Sequence, residues 1–514
     1  MPPSAAPGPD LWELAQQSLD VLRFSTLFTS RQVPKYLSDD DAIGRAISWC
    51  KERGITRVYL ESFRQEEWAP PEMLARARDL FLEAGVDARG CITPAGFAKQ
   101  STGWRFFSCF TNADTRRVMR EMSEHAAGIF DVVMIDDFFC SDCTCEECRA
   151  ARGSRSWSDY KRAMMLEVAR ELVIEAGKAV NPDVKFIIKY PAWYEMYQER
   201  GYDVAAESEL FPMTWVGTET RGTDEPDPEA HFPGDPQYQA CWLMRWLLGI
   251  GGRKCGGGWY DTIETSPRYY VEQGRQTVLG GAPEAFLFNF GAIYEGAGYD
   301  RGRGPVDMEA LTAEMPAHFA LARLIHGRRP RGLSGWKPPN SSPGADRLLH
   351  PLLGMAGFPV TAAHGFEPEA EGHVFGYHVL HDPAWWDAVE QTLEGGCPLL
   401  VTPAFLEAIR CQAEGNRLDL ERLERGAVVL PPLEGRGTWA ALDALSAQEL
   451  NALRDRACGP LGVRFHAPAG VALYLFDDDV AVLESFRDEP AACELRLDGW
   501  KGVEAALTIP LEVA

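Results

Sequence analysis

Two groups of residues in this chain could do chemistry, and they lie within thirteen positions of each other. The stretch FDVVMIDDFFCSDCTCEECR, residues 130–149, carries adjacent carboxylates at Asp136 and Asp137 and then four cysteines, Cys140, Cys143, Cys145 and Cys148. A short apolar run such as Val132–Ile135 reads as a strand buried on both faces. Two acids at the end of such a strand are costly to bury without a use, which marks them as candidate catalytic groups. Thiolates in a C-x2-C-x-C-x2-C spacing can converge on one tetrahedral zinc. Because strand side chains alternate, Asp136 and Asp137 share a face only if the strand has already ended.

Further acids stand after other apolar runs: Glu61, Glu195, Glu219 in TWVGTETRG, and Asp261 and Glu264 in GGWYDTIET. Of these, Glu219 and Asp261 are the candidates to pair with Asp136 or Asp137. For Glu61 and Glu195 alone, a capping or salt-bridge role is favoured over a substrate contact. Trp193, Tyr194, Trp215, Trp259 and Tyr260 cluster at the same ends. Aromatic faces there can line a binding cleft, although core packing explains about half of such positions. Lys189, Arg221 and Asn289 could bind hydroxyls or a carboxylate.

These groups need a scaffold that gathers strand ends. Over the first three hundred residues, strand-like runs alternate with helical ones, beginning at Arg23–Phe28 and ending at Ala285–Phe290. Eight such units are the arithmetic of a (β/α)8 TIM barrel, whose functional residues sit at the C-terminal ends of its strands. A doubly wound open sheet is disfavoured, since Phe28-Thr29-Ser30-Arg31 has no glycine-rich phosphate turn. A Pro/Gly/Ser-rich segment follows, and then a strand–helix–strand pattern over His373–Val401 indicates a small α/β domain. Short period-two runs from Gly470 indicate a C-terminal β-sandwich-like domain. The expected boundaries are 1–310, 311–455 and 456–514.

Composition narrows the class. Of 514 residues, 25% are charged, and the net charge of −24 argues against a nucleic-acid or anionic-membrane partner, which would need a basic face. No apolar run is long enough for a membrane helix. The first residues show no secretion signal, and thirteen cysteines is an odd number, so reduced thiols in the cytoplasm are expected. Only His125 and His231 occur in the first three hundred residues, which disfavours a metal-dependent barrel hydrolase. No sequence feature calls for an organic cofactor.

The apolar strand ending I-D-x, then C-x-C-x2-C, with another cysteine upstream in SCFTN, resembles the barrel of family 42 glycoside hydrolases. That resemblance implies a structural zinc held by Cys109, Cys143, Cys145 and Cys148, with Cys140 a spare. It also implies a middle domain of glutamine-amidotransferase-like, flavodoxin-type fold, which HVLHDPAWWDAVEQTLEGGCPLLVTP resembles, and a small β domain after it. Members of that family are commonly trimers, so a homo-oligomer is expected. The pattern departs at one place: where the family reads D-N-E and uses the Glu as acid/base, this chain reads Asp136-Asp137-Phe138. A strand-four Asp nucleophile with an acid from a later strand resembles barrel glycosidases acting on α-linked sugars.

The reading that follows is a glycoside hydrolase using paired carboxylates. Asp137 or Asp136 is the expected nucleophile and Glu219 the acid/base, with Asp261 in reserve and retention favoured over inversion. Glu61, Lys189, Trp193, Trp215, Arg221, Trp259, Tyr260 and Asn289 are the candidate contacts to the carbohydrate. The loss of the family's acid/base to Phe138 would also suit a non-catalytic carbohydrate-binding or assembly protein. A lyase or transferase using the same cleft is the third reading.

Overall fold

A computed structural model of the chain describes residues 10–222, 234–296, 308–412, 420–432, 442, 444, 446–500 and 507–511. Eight parallel strands alternate with helices: β1 (Arg23–Phe28), β2 (Ile55–Arg64), β3 (Asp87–Thr93), β4 (Val132–Ile135), β5 (Lys185–Tyr190), β6 (Met213–Gly217), β7 (Cys255–Asp261) and β8 (Glu284–Phe288). Each strand pairs with the next, and β1 pairs with both β2 and β8, so the sheet closes into a (β/α)8 barrel. A two-residue ribbon, Glu67–Trp68, pairs antiparallel with the end of β2.

The helices start where the sequence offers caps. Asp39, Asn112, Ser156 and Asp203 each accept a backbone N–H of the following helical turn, which satisfies a donor that has no partner inside the helix. The long helix expected over Trp157–Val180 is present, with a π-helical stretch at Ala169–Glu175.

Alternation along the strands fills the barrel. Leu27, Tyr59, Cys91, Met134, Ile187, Trp215, Trp259 and Phe286, one from each strand, form a buried apolar layer. Tyr59 and Trp215 both pack against Phe286, and Trp259 stacks on it with centroids 4.1 Å apart. Two residues further along each strand, the same inward phase reaches Thr29, Glu61, Thr93, Asp136, Lys189, Gly217, Asp261 and Phe288. The barrel floor is thus apolar, and the layer above it, at the C-terminal ends, is mostly polar.

The chain divides into two compact units. The first comprises Met1–Ala192, Tyr197–Phe232 and Gly251–His326, and the second Trp193–Met196, Pro233–Ile250 and Gly327–Ala514. The second unit holds a five-stranded parallel sheet in the order Val360–Ala363, Leu333–Trp336, His373–Phe375, Leu399–Val401, Val428–Val429. That is the flavodoxin-like order 2-1-3-4-5. Trp336, Phe375, Val389, Leu399, Phe405 and Ile409 lie in its core. Two antiparallel sheets of three strands complete the unit, one built on Val471–Phe476 and the other on Ala491–Leu497. Among the described residues, no helix is long and apolar enough to cross a membrane.

Candidate active site

Lys189, on β5, organises the mouth of the barrel. Its ammonium donates to Asp137 Oδ2 at 2.7 Å, to Glu219 Oε1 at 2.8 Å and to Asp136 Oδ1 at 3.4 Å, and it lies 4.3 Å from the centroid of the Trp259 ring. The side chain is only 2% exposed. Burial alone would discharge the amine, but Asp137, Glu219 and Asp136 reverse that and raise its pKa above the usual lysine value.

The two adjacent aspartates have different surroundings. Asp136 continues the inward phase of β4. Its Oδ2 accepts from Thr93 Oγ1 at 3.1 Å and Arg64 Nη2 at 3.2 Å, and its Oδ1 accepts from the Asp137 N–H at 2.9 Å. Burial pushes its pKa up, yet Lys189 and Arg64 together hold it below the usual value. β4 ends at Ile135, so Asp137 is free of the strand's alternation and also reaches Lys189. Its side chain is 18% exposed against 4% for Asp136. Burial raises its pKa against the pull of Lys189, and Asp136 raises it further. Tyr202 Oη donates to the Asp137 carbonyl and fixes the strand end.

Glu219 lies two residues past β6. A Cβ on Gly217 would collide with the Glu219 carboxylate and with the backbone at Ala192, so glycine leaves the room that the carboxylate occupies. Oε1 is bonded to Lys189, while Oε2 is buried with no hydrogen-bond partner. Burial moves its pKa up to about 7, Lys189 opposing and Asp137 and Asp261 adding. A carboxyl poised there can hold a proton at neutral pH and also give it away.

The other sequence candidates fall in distinct places. Asp261 is paired bidentately with Arg221, at 2.8 and 3.1 Å, and also accepts from the Ile263 N–H. Glu61 lies inside β2, which runs on to Arg64, rather than after a strand. It is fully buried and bonded to the Ser30 N–H, Thr93 and Arg64. Trp215 belongs to the apolar floor. Tyr260 is out of phase with Trp259 and packs against Tyr270 of the following helix. Asn289 caps the helix Phe290–Glu295 and accepts from Gln32, leaving its buried Nδ2 without a partner. Trp193 falls in the second unit, as do Glu195, bonded there to His378, and Tyr194, packed on Trp242. His125 packs edge-on against Trp68, and His231 lies outside the described residues.

Arg64 and Thr93 were not among the sequence candidates. Arg64 joins Glu61 to Asp136, and Thr93 donates into the same pair. Both occupy strand ends, but an isolated Arg or Thr in a strand carries no signal of its own. Only the register of β2 and β3 beside β4 brings them to Asp136.

The cysteines divide as four and one. The sulfurs of Cys109, Cys143, Cys145 and Cys148 all lie within 4.8 Å of one another. The separations Cys109–Cys148, Cys145–Cys148 and Cys109–Cys145 are 3.5, 3.7 and 3.8 Å. A tetrahedral ion with metal–sulfur bonds of ~2.3 Å requires edges of ~3.8 Å, so the quartet fits a thiolate-bound metal. Thr111 and Thr102 hydroxyls contact Cys148 and Cys143 at 3.0 and 3.7 Å. Cys140 is outside the group; its sulfur faces the Asp137 carbonyl.

A family model described as "Probable glycosyl hydrolase, catalytic domain" matches residues 10–309, which is the whole barrel and more than half of the chain. The chain belongs to that family. The matched region holds every group around Lys189. An uncharacterized protein of Saccharolobus solfataricus is 24% identical over 289 residues, covering 50% of this chain. The chain spans about half (47%) of that curated relative's length. Similar solved structures include an exo-beta-1,4-mannosidase from Opitutaceae bacterium strain TAV5, with TM-score 0.48 and 12% identity over 95% of this chain and 91% of that one. Another is a GH5_18 protein from Streptomyces cattleya in complex with Manb1-4GlcNAc, with TM-score 0.42 and 14% identity over 66% of this chain and 93% of that one.

Proposed function

We propose that the barrel hydrolyses glycosidic bonds with Asp137 as nucleophile and Glu219 as acid/base, with retention of anomeric configuration. The observation that carries this reading is the shared ammonium of Lys189. The two bonded oxygens of Asp137 and Glu219 can be no farther apart than about 5.5 Å, the sum of their distances to Nζ. Retaining glycosidases space their carboxyls at ~5–5.5 Å and inverting ones at ~6.5–9.5 Å.

In the first half-reaction, Asp137 attacks the anomeric carbon while Glu219 gives its proton to the departing oxygen. In the second, Glu219, now a carboxylate, takes a proton from the water that attacks the same carbon, and Asp137 leaves. Lys189 keeps Asp137 ionised for attack, and Asp136, held by Arg64 and Thr93, orients the Asp137 backbone without reacting. The Arg221–Asp261 pair fixes the strand ends beside Glu219.

A screen of aryl glycosides, with the first-formed anomer read by NMR on the best substrate, tests the assignment. Hydrolysis with retention is expected, and release of the opposite anomer first would exclude it. Phe138, in the place of the family 42 acid/base, suits a non-catalytic carbohydrate-binding protein as the second reading. In that case the screen would show saccharide binding and no turnover.

The reading includes a structural zinc on Cys109, Cys143, Cys145 and Cys148. With four protein ligands such a site is closed, so its chemistry is to tie the loops after β3 and β4 together rather than to activate water. About one zinc per chain is expected by elemental analysis of protein purified without chelator. Cys143→Ser should lower the melting temperature by several degrees and leave kcat of the folded fraction within a few-fold, because the metal does not touch substrate. Absence of zinc with all four thiols freely reactive would remove the metal from the reading. None of the thirteen cysteines is paired in a disulfide, in keeping with a reducing compartment such as the cytoplasm. Self-association, as a trimer on the family 42 pattern, completes the proposal; a stable monomer by light scattering at micromolar concentration would count against it.

A further inference from the structure

The loop between β3 and the helix Ala113–Ala127 presents an aromatic surface that the reading so far does not use. Trp104 is 38% exposed, and its ring contacts Phe107, Phe106 and Phe138 at centroid distances of 4.9, 5.1 and 5.9 Å. Single exposed hydrophobics are ordinary, but this one belongs to a four-ring cluster. One member, Phe138, directly follows Asp137 in the chain. Arg105, also exposed, lays its guanidinium over Phe106 with the centroid at 5.4 Å.

The loop is held rigidly from one side. Asp142, within the cysteine loop, accepts from Ser101 Oγ and, at 2.8 Å, from the Trp104 N–H. The Thr144 N–H donates to Thr102 Oγ1 at 2.8 Å, the Cys109 N–H to the Lys99 carbonyl and the Gly96 N–H to the Phe106 carbonyl. A Cβ on Gly103 would coincide with the Asp142 carboxylate, so the backbone comes as close to that side chain as glycine allows. These contacts hold the loop through its backbone and through the Ser101 and Thr102 hydroxyls, and Trp104 stays 38% exposed. A large ring held in place in this way loses little further freedom when something stacks on it.

We propose that Trp104, resting on Phe106, Phe107 and Phe138, is the platform of a saccharide subsite next to the scissile bond. It would take the apolar C–H face of the ring adjoining the one cleaved, with Arg105 as donor to that ring's hydroxyls. The occupant is inferred from continuity with the candidate active site through Phe138, and it rests on the glycosidase reading. The thiolate cluster then acquires a role in substrate recognition: Cys109 and Cys143–Cys148 fasten the two loops whose aromatic side chains form the platform.

Calorimetric titration of full-length wild type, Trp104→Phe and Trp104→Ala with a panel of manno-, xylo-, cello- and galacto-oligosaccharides tests the subsite without requiring turnover. For at least one series, Trp104→Ala should weaken binding about tenfold and Trp104→Phe less, since a smaller ring still stacks. Activity on an aryl monoglycoside, too short to reach the platform, should stay within about twofold in both variants, with unchanged melting temperature and oligomeric mass. Three results would overturn the subsite: equal oligosaccharide affinity in wild type and Trp104→Ala, no oligosaccharide bound by wild type, or a Trp104→Ala variant of altered mass, which would make the ring a contact between copies. Trp104-dependent binding without hydrolysis of any substrate would uphold the subsite and overturn the hydrolase. Hydrolysis indifferent to Trp104 on long and short substrates alike would do the reverse.

Discussion

Asp137→Asn is expected to lower kcat on every substrate by at least ~10³-fold, whatever the leaving group, because the group that forms the covalent intermediate is gone. Asp136→Asn should behave differently. Asp136 is almost wholly buried and bonded to Thr93, Arg64 and the Asp137 backbone. Losing its charge leaves Arg64 less well paired and misplaces Asp137, so stability should fall together with activity. Breaking one side of a buried ion pair costs ~3–5 kcal/mol, and Glu61, which still pairs with Arg64, places this case at the lower end. In Asp137→Ala, azide can occupy the vacated space and attack from that face, giving a glycosyl azide of inverted configuration. The measurement is a kcat series over aryl glycosides together with thermal melts of both variants. If Asp136→Asn is the inactive but fully stable one of the two, their roles are exchanged.

Glu219→Gln is expected to divide substrates by leaving group. Protonation of the leaving oxygen contributes ~10²–10⁴-fold to catalysis, so natural oligosaccharides should lose activity on that order while activated aryl glycosides lose much less. The pH dependence follows from the same residue. A general acid must be protonated, and burial holds the Glu219 carboxyl up to about 7. Wild-type kcat/KM for a poor leaving group should therefore be retained below that value and fall as pH rises through it. In Glu219→Gln the basic limb should vanish, since nothing is left there to lose the proton. If the variant keeps oligosaccharide hydrolysis within a few-fold, Glu219 is not the acid. Asp261 would be the next residue to replace, and it would first have to part from Arg221.

Each of these predictions turns on a distinction between neighbours that share a residue type. Side-chain alternation places Asp136, Lys189 and Asp261 in the same inward phase as Met134, Ile187 and Trp259, and that much can be read along the chain. Where β4 stops cannot. Val132–Ile135 and Phe138–Phe139 are equally apolar, and only pairing with β3 and β5, which ends at Ile135, releases Asp137 from the alternation. The aromatic candidates show the same limit. Trp215 and Trp259 share the inward phase and the apolar layer, yet it is the Trp259 ring that the Lys189 ammonium lies over. Which ring meets the ammonium depends on strand stagger, which no single strand records.

The sequence by itself determined the eightfold alternation that closes the barrel, the parallel α/β sheet and β-rich end that follow, the acids at the strand ends and the thiols able to hold a metal. All of these rest on periodicity and spacing over a few residues. Tertiary structure alone decided that Lys189 joins Asp137 to Glu219, that Arg64 and Thr93 support Asp136, and that Trp104 sits beside Phe138. Each of these joins residues from different strands or loops. Their charge states, Glu219 near 7 and Asp136 low, follow from how many ammonium, guanidinium and carboxylate groups share one buried space.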